Sequence, residues 1–296
     1  MEQIFSFQSK WYIRVIEFIT LNFLIIFSLS FIFPTLNSNQ LLFSFIIFVA
    51  LILVSYLINY FRAESKYNSF GFNFDKFAIK HFFQGKLLVV FCMILFLVLG
   101  SLLNAKIYYN GLKDTITYSF LLFTLQIYFQ AASEELMFRG IVFQAFSQKF
   151  GDITSAIFLS LVFAALHLMN PNINTISFIN VFLAGIFFSA CYIKTKSLWL
   201  GITFHFLWNW SEFILLGSPI SGLNFDIKPL IELKLLHISP NLYWILGGKF
   251  GIEEGAITTI LLISLAYIVL KYAKYSPYIS STLLKMEYAE SKFITK

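Results

Sequence analysis

The chain has 296 residues, 58% hydrophobic and 12% charged, with a mean hydropathy of +0.78. Soluble domains carry about 25% charged residues, so the composition excludes one and points to a membrane protein. The net charge of +6 comes from lysines clustered between apolar runs, which excludes a nucleic-acid partner and indicates orientation in a lipid bilayer.

A spanning helix needs about 20 mostly apolar residues. The sequence predicts eight, over about 13–33, 41–61, 84–103, 117–146, 153–169, 175–193, 197–216 and 254–272. The first run is too long for a signal-peptide core and lacks a small-x-small cleavage site, so it reads as a retained span. Between the second and third runs a basic segment holds His81, expected to be solvated. Cys92 in the third run and Cys191 in the sixth sit among apolar residues; they read as core side chains, not a disulfide framework. In the sixth run Gly185 and Ser189, flanked by Ala184 and Ala190, form a small-xxx-small seam suited to close helix packing. Residues 217–253 make a long outer segment with three prolines, predicted to fold back over the bundle, and His237 within it is expected to be solvated. With the N-terminus inside, fifteen Lys and Arg fall on the cytoplasmic side against five outside, leaving out Arg139 as intramembrane. The positive-inside rule then puts both termini in the cytoplasm. The expected architecture is an all-α polytopic bundle, one integral membrane domain over residues 1–296. Lysine outnumbers arginine 18 to 3 amid abundant Phe, Ile and Asn, a composition typical of a low-GC prokaryote.

The fourth run contains "AASEELMFRG". Ionisable groups at bilayer depth cost roughly 2.5–3.5 kcal/mol each even on the mild insertion scale, which makes them candidates for function. Glu135 and Arg139 are four apart, hence neighbours on one helix face that can pair. Glu134 lies about 100° round the helix, on a polar stripe continued by Gln130 and Gln126, with no evident cation. For Glu134 to reach the depth of His167, the fourth helix must run on through Arg139 to about Gln144. His167 ends "FAALH" in the fifth run, and His205 opens "HFLWN" in the seventh with Asn209 four residues on. A lone membrane histidine is usually an interhelical hydrogen-bonding residue. Two of them, with a carboxamide and an unpaired carboxylate at similar depth, point to one intramembrane cavity. Such a set suits addition of water to an acyl carbon. Glu134 would be the general base, assisted by His167, and His205 and Asn209 would donate to the oxyanion. No serine or cysteine stands in a nucleophile motif. A Glu and two His could alternatively hold Zn2+ with an open position, although no H-E-x-x-H is present. Residue types alone leave both open, with the metal-free site favoured.

The ordered set E-E-x-x-x-R, F-x-x-x-H and H-x-x-x-N on three spans, within about residues 115–215, resembles the CAAX protease and bacteriocin-processing family of intramembrane endopeptidases. The resemblance implies a membrane protease in which Glu134, His167, His205 and Asn209 occupy active-site positions and Glu135 and Arg139 support them. It also implies a membrane-embedded or membrane-associated peptide or protein as substrate, and a multi-pass cell-membrane location. A catalytically silent scaffold or bacteriocin-immunity factor of the same family is the alternative. A transporter ranks third, since no inverted repeat is evident.

Overall fold

Among the described residues, helix α1 (Trp11–Ile32) and α2 (Gln40–Phe61) come first, followed by α3 (Lys76–Leu102). The computed structural model describes residues 11–33, 39–61, 70–234 and 243–273. Next come strand β1 (Lys106–Tyr109), the single turn α4 (Leu112–Thr115), α5 (Tyr118–Arg139), α6 (Ile141–Phe150) and α7 (Asp152–Leu166). A 3-10 turn at His167–Met169 leads into α8 (Thr175–Thr195) and α9 (Trp199–Leu216), then β2 (Ile231–Lys234) and the short α10 (Tyr243–Leu246). A second 3-10 turn, Ile252–Glu254, precedes α11 (Ala256–Tyr272).

The protein is nearly all helical, and helices lie over all the predicted runs. Among the described residues, five segments are long and apolar enough to cross a bilayer: α1, α2, α3, α7 with its 3-10 extension, and α8. The 17-residue α11 is apolar but shorter, and the motif-bearing α5 and α9 are not among the five. Polar insertions and shortness remove these three from a count made by length and composition. The outer faces are greasy: Phe23, Phe27 and Phe31 on α1 stack in sequence and are 57–78% exposed. Such a surface suits lipid better than water.

Boundaries follow local chemistry. Asp75 caps α3, its carboxylate accepting from the backbone N–H groups of Phe77 (2.6 Å) and Ala78 (2.8 Å). Asn174 and Ser177 form a reciprocal capping box at the start of α8. Gly217 ends α9 in the left-handed conformation, φ 63°. The Asp75 cap starts α3 eight residues before the predicted span. His81 therefore sits inside a helix, 2% exposed, and not in a solvated loop. His237 lies outside the described residues.

Two further expectations are corrected. The predicted fourth span is broken at Gly140 (φ −79°, ψ −124°), so the helix ends at Arg139 and does not continue to Gln144. The segment beyond it, α6, packs on α1 and α7 as a separate helix, with Gln144 donating to the Tyr192 hydroxyl (2.6 Å). The bundle also carries a two-stranded antiparallel sheet, β1 with β2, pairing Lys106 with Lys234 and Tyr109 with Ile231.

The site is framed by α5, α7, α8 and α9. Helix α9 packs against α3 and α5, and α8 against α7 and α11. The α7–α8 contact is close at the small-residue seam, where a Cβ at Gly185 would come within 2.7 Å of the Ser160 Cβ.

Candidate active site

Arg139 ends α5, 1% exposed, among three phenylalanine rings. Its guanidinium carbon lies 4.9 Å from the Phe163 ring centroid, 5.3 Å from Phe188 and 5.6 Å from Phe138, contacts favourable to a desolvated cation. Its two terminal nitrogens diverge, Nη1 to Glu135 Oε1 (3.2 Å) and Nη2 to the Gly185 carbonyl (3.1 Å). The i, i+4 pair expected from the sequence is therefore formed, and it also ties α5 to α8.

Glu135 has a second partner that helical spacing does not reveal. The same Oε1 lies 3.0 Å from His205 Nδ1 across the α5–α9 interface. Helix α9 reaches this close because residue 201 is glycine: a Cβ there would stand 3.2 Å from Glu135 Oε2. With Glu135 ionised, Nδ1 is the donor, and Nε2 is the nitrogen left for chemistry. His205 Nε2 lies 3.7 Å from Glu134 Oε2. Glu134 is thus not without a cationic neighbour, because a protonated His205 would bridge both carboxylates. Counting two carboxylates and one guanidinium, one proton on His205 brings the group to neutrality. Phe188 stacks on the imidazole, centroids 4.7 Å apart.

His167 sits where α7 tightens into a 3-10 turn. Its Nδ1 lies 2.8 Å from the Phe163 carbonyl. A carbonyl only accepts, so Nδ1 is the donor, and in the neutral ring Nε2 keeps its lone pair. The Phe163 ring is 4.6 Å from His167 and 6.3 Å from His205, which holds both imidazoles against one aromatic spacer.

Glu134, His167, His205 and Asn209 all line one cavity of about 700 Å³, open mouth included. Glu134 is partly exposed at 26%, whereas Glu135 is closed off at 1%. Gln130 approaches Glu134 at 3.5 Å and shares the wall. Gln126, placed by the sequence on the same inward stripe, donates to Gln40 on α2 and does not line the cavity. Asn209 is 6% exposed and its side chain makes no hydrogen bond among the described residues, so its carboxamide is available to a guest.

The returning segment supplies the rest of the wall. Ile220, Ser221, Leu223 and Phe225 line the cavity, as does Glu253, so the described part of residues 217–253 does fold over the bundle. Glu253 was not singled out by spacing. The signal available was "GGKFGIEEGA", two acidic residues between glycines at the head of an apolar helix. Ser221 Oγ donates to Glu253 Oε2 at 2.5 Å.

Zinc needs three protein ligands at about 2.0–2.2 Å converging on one point. Glu134 and His205 are spaced as two such ligands could be. Among the described residues, however, no three His, Cys, Asp or Glu side chains are arranged to hold a metal ion. The donor set as it stands does not fit a three-ligand centre.

No curated protein and no solved structure matches the chain. Residues 116–211, about a third of the length, match the family model described as type II CAAX prenyl endopeptidase Rce1-like. The matched stretch runs through α5, α7, α8 and most of α9, the helices that bring the three motifs to one cavity, and over that stretch the chain is similar to the CAAX protease and bacteriocin-processing family.

Proposed function

We propose that the protein is an intramembrane endopeptidase that hydrolyses a peptide bond of a membrane-associated protein or peptide. The family is one of protease-type membrane enzymes. The observation that carries the reading to residues is the 3.7 Å approach of Glu134 to His205 in a cavity that His167 and Asn209 also line.

Water in the cavity would give a proton to Glu134 while its oxygen bonds to the acyl carbon. His167, with Nε2 free, is placed to share that water. Collapse of the tetrahedral adduct breaks the C–N bond, and the proton taken from water passes to the leaving nitrogen. Asn209 can donate to the oxyanion in any protonation state. His205 can donate from Nε2 only as an imidazolium, since Nδ1 is engaged by Glu135. Donors of this kind are worth about 3–4 kcal/mol each in acyl transfer. The chain is read as a multi-pass cell-membrane protein with both termini cytoplasmic, on the fifteen-to-five division of basic residues.

The test is cleavage of membrane peptides by the purified full chain in liposomes, beside Glu134→Ala. Cleavage by the parent and none by the variant is expected, with activity surviving exhaustive chelation. Loss on chelation and recovery with added Zn2+ would replace the metal-free mechanism. Cleavage by neither would favour the scaffold reading, and equal cleavage by both would remove Glu134 from the mechanism.

A further inference from the structure

Expelling an amine from a tetrahedral adduct requires a proton on its nitrogen, and none of the four motif side chains is well placed to give one. Glu134, as the base, has just taken a proton from water. His205 offers only Nε2, 3.7 Å from Glu134, because Nδ1 is engaged by Glu135 at 3.0 Å. His167 directs its Nδ1 proton to the Phe163 carbonyl (2.8 Å), so the neutral ring presents Nε2 as an acceptor. Asn209 donates a hydrogen bond but has no acidic proton.

Among the described lining residues of the cavity one ionisable side chain is left, Glu253. It projects from the 3-10 turn before α11, and its placement is over-determined. Asn180 on α8 donates to the backbone carbonyls of Glu253 (2.8 Å) and Gly255 (2.9 Å) and accepts from Thr259 Oγ1 (2.6 Å). Glu212 on α9 accepts from the backbone N–H of Ile252 (2.8 Å). Ser221, whose hydroxyl holds the Glu253 carboxyl at 2.5 Å, has φ +46°, a left-handed conformation costly for a residue with a Cβ. The two carboxyls of the cavity differ in surroundings. Glu134 has Gln130 at 3.5 Å and His205 at 3.7 Å, neighbours that suit a carboxylate. Withdrawal from water lifts the Glu253 carboxyl above its ordinary range, while the Ser221 hydroxyl and the charges of His167 and His205 draw it part of the way back. No lysine or arginine stands among the described lining residues to hold it ionised. Paired carboxyls in unlike environments divide into a base and an acid.

We propose that Glu253 is the general acid of the reaction and gives its carboxyl proton to the leaving nitrogen. As the adduct collapses, an oxyanion electron pair re-forms the C=O bond. The C–N pair goes to nitrogen and takes up the proton from Glu253. A carboxylic acid and an amine depart, with Glu253 ionised and Glu134 holding the proton that came from water. Passage of that proton from Glu134 to Glu253 through water in the cavity resets both groups. This deepens the protease reading and rests on it.

The experiment compares two leaving groups at one bond. Dansylated alanine–leucine peptides are given to the full chain in liposomes, the bond cut is located by mass spectrometry, and the same peptide is made with a thioester there. A thiolate, whose ordinary pKa is about 8.5, leaves without a proton, and an amine does not. Glu253→Gln should slow peptide hydrolysis by about 10²–10⁴-fold and leave thioester hydrolysis close to that of the parent. Glu253→Asp keeps an acid and should recover part of the peptide rate. A purely structural role would slow both substrates together. Parent-like peptide hydrolysis in Glu253→Gln, or an equal loss on both substrates, would overturn the assignment while leaving Glu134-dependent cleavage standing. Failure of the parent to cut either substrate would overturn the protease reading, and this assignment with it.

Discussion

Two adjacent carboxylates on one helix turn meet different surroundings, because consecutive side chains point about 100° apart. Glu135 is enclosed by Arg139, His205 and Gly201, whereas Glu134 opens on the cavity. Glu134→Gln should therefore abolish hydrolysis while leaving thermal unfolding in micelles close to that of the parent. Glu135→Gln should lower stability by roughly 3–5 kcal/mol, the cost of leaving a buried charge unpaired. A fold-neutral loss of activity in both variants would contradict the division. Arg139→Lys is expected to fail as a conservative change. A single ammonium cannot span the divergent contacts to Glu135 and the Gly185 carbonyl, nor lie flat among three phenylalanines. Parent-like melting of that variant would show that any cation suffices. The Glu135–Arg139 pair was legible because four-residue spacing on a helix is a local rule. The Glu135–His205 contact joins residues 70 apart and depends on the absence of a side chain at Gly201, which no local rule announces.

At the scale of elements, apolar run length located the helices but not their ends. Asp75 extended α3 through His81 by capping three residues ahead, and Gly140 cut a continuous apolar pattern in two. Strands β1 and β2 escaped notice for a different reason. They are four residues each and pair across more than a hundred residues of chain, so neither carries a hairpin signal. The α7–α8 seam, in contrast, was readable from small residues at four-residue spacing, and it supports a quantitative expectation. Gly185→Ala places a Cβ 2.7 Å from the Ser160 Cβ and 2.9 Å from its Cα, in contact with backbone that cannot swing away. Overpacking of this kind costs about 1–3 kcal/mol. The strain should also disturb the carbonyl that holds Arg139. Ser160→Gly in the same chain should restore part of the loss, and a double-mutant cycle on melting in micelles measures the coupling. Additive effects would mean the helices separate freely at this point.

For the whole molecule, the cavity is closed only when a segment far along the sequence returns to it. The motif helices contribute Glu134, His167, His205 and Asn209 to its lining, and the described part of residues 217–253 adds Ser221, Phe225 and Glu253. That return is held by polar contacts and not by hydrophobic burial alone. Glu254 accepts from the Phe250 N–H (2.9 Å), Gly222 donates to the Phe250 carbonyl (2.7 Å), and Glu212 anchors Ile252. Phe250 itself is fully buried. Lys249, one residue earlier, is exposed on a turn whose neighbours are pinned. A protease must draw several residues on either side of a scissile bond into its own cleft, so an exposed side chain on a fixed backbone is a poor site. Trypsin should cut at Lys249 slowly in the folded protein. Glu212→Ala removes the acceptor for Ile252 N–H and should speed that cut severalfold while raising access of water-soluble labels to a cysteine placed at Phe225. Rapid cutting at Lys249 in the unsubstituted protein, with peptide hydrolysis unchanged afterwards, would show that the returning segment is a linker and that the reactive face works without its cover.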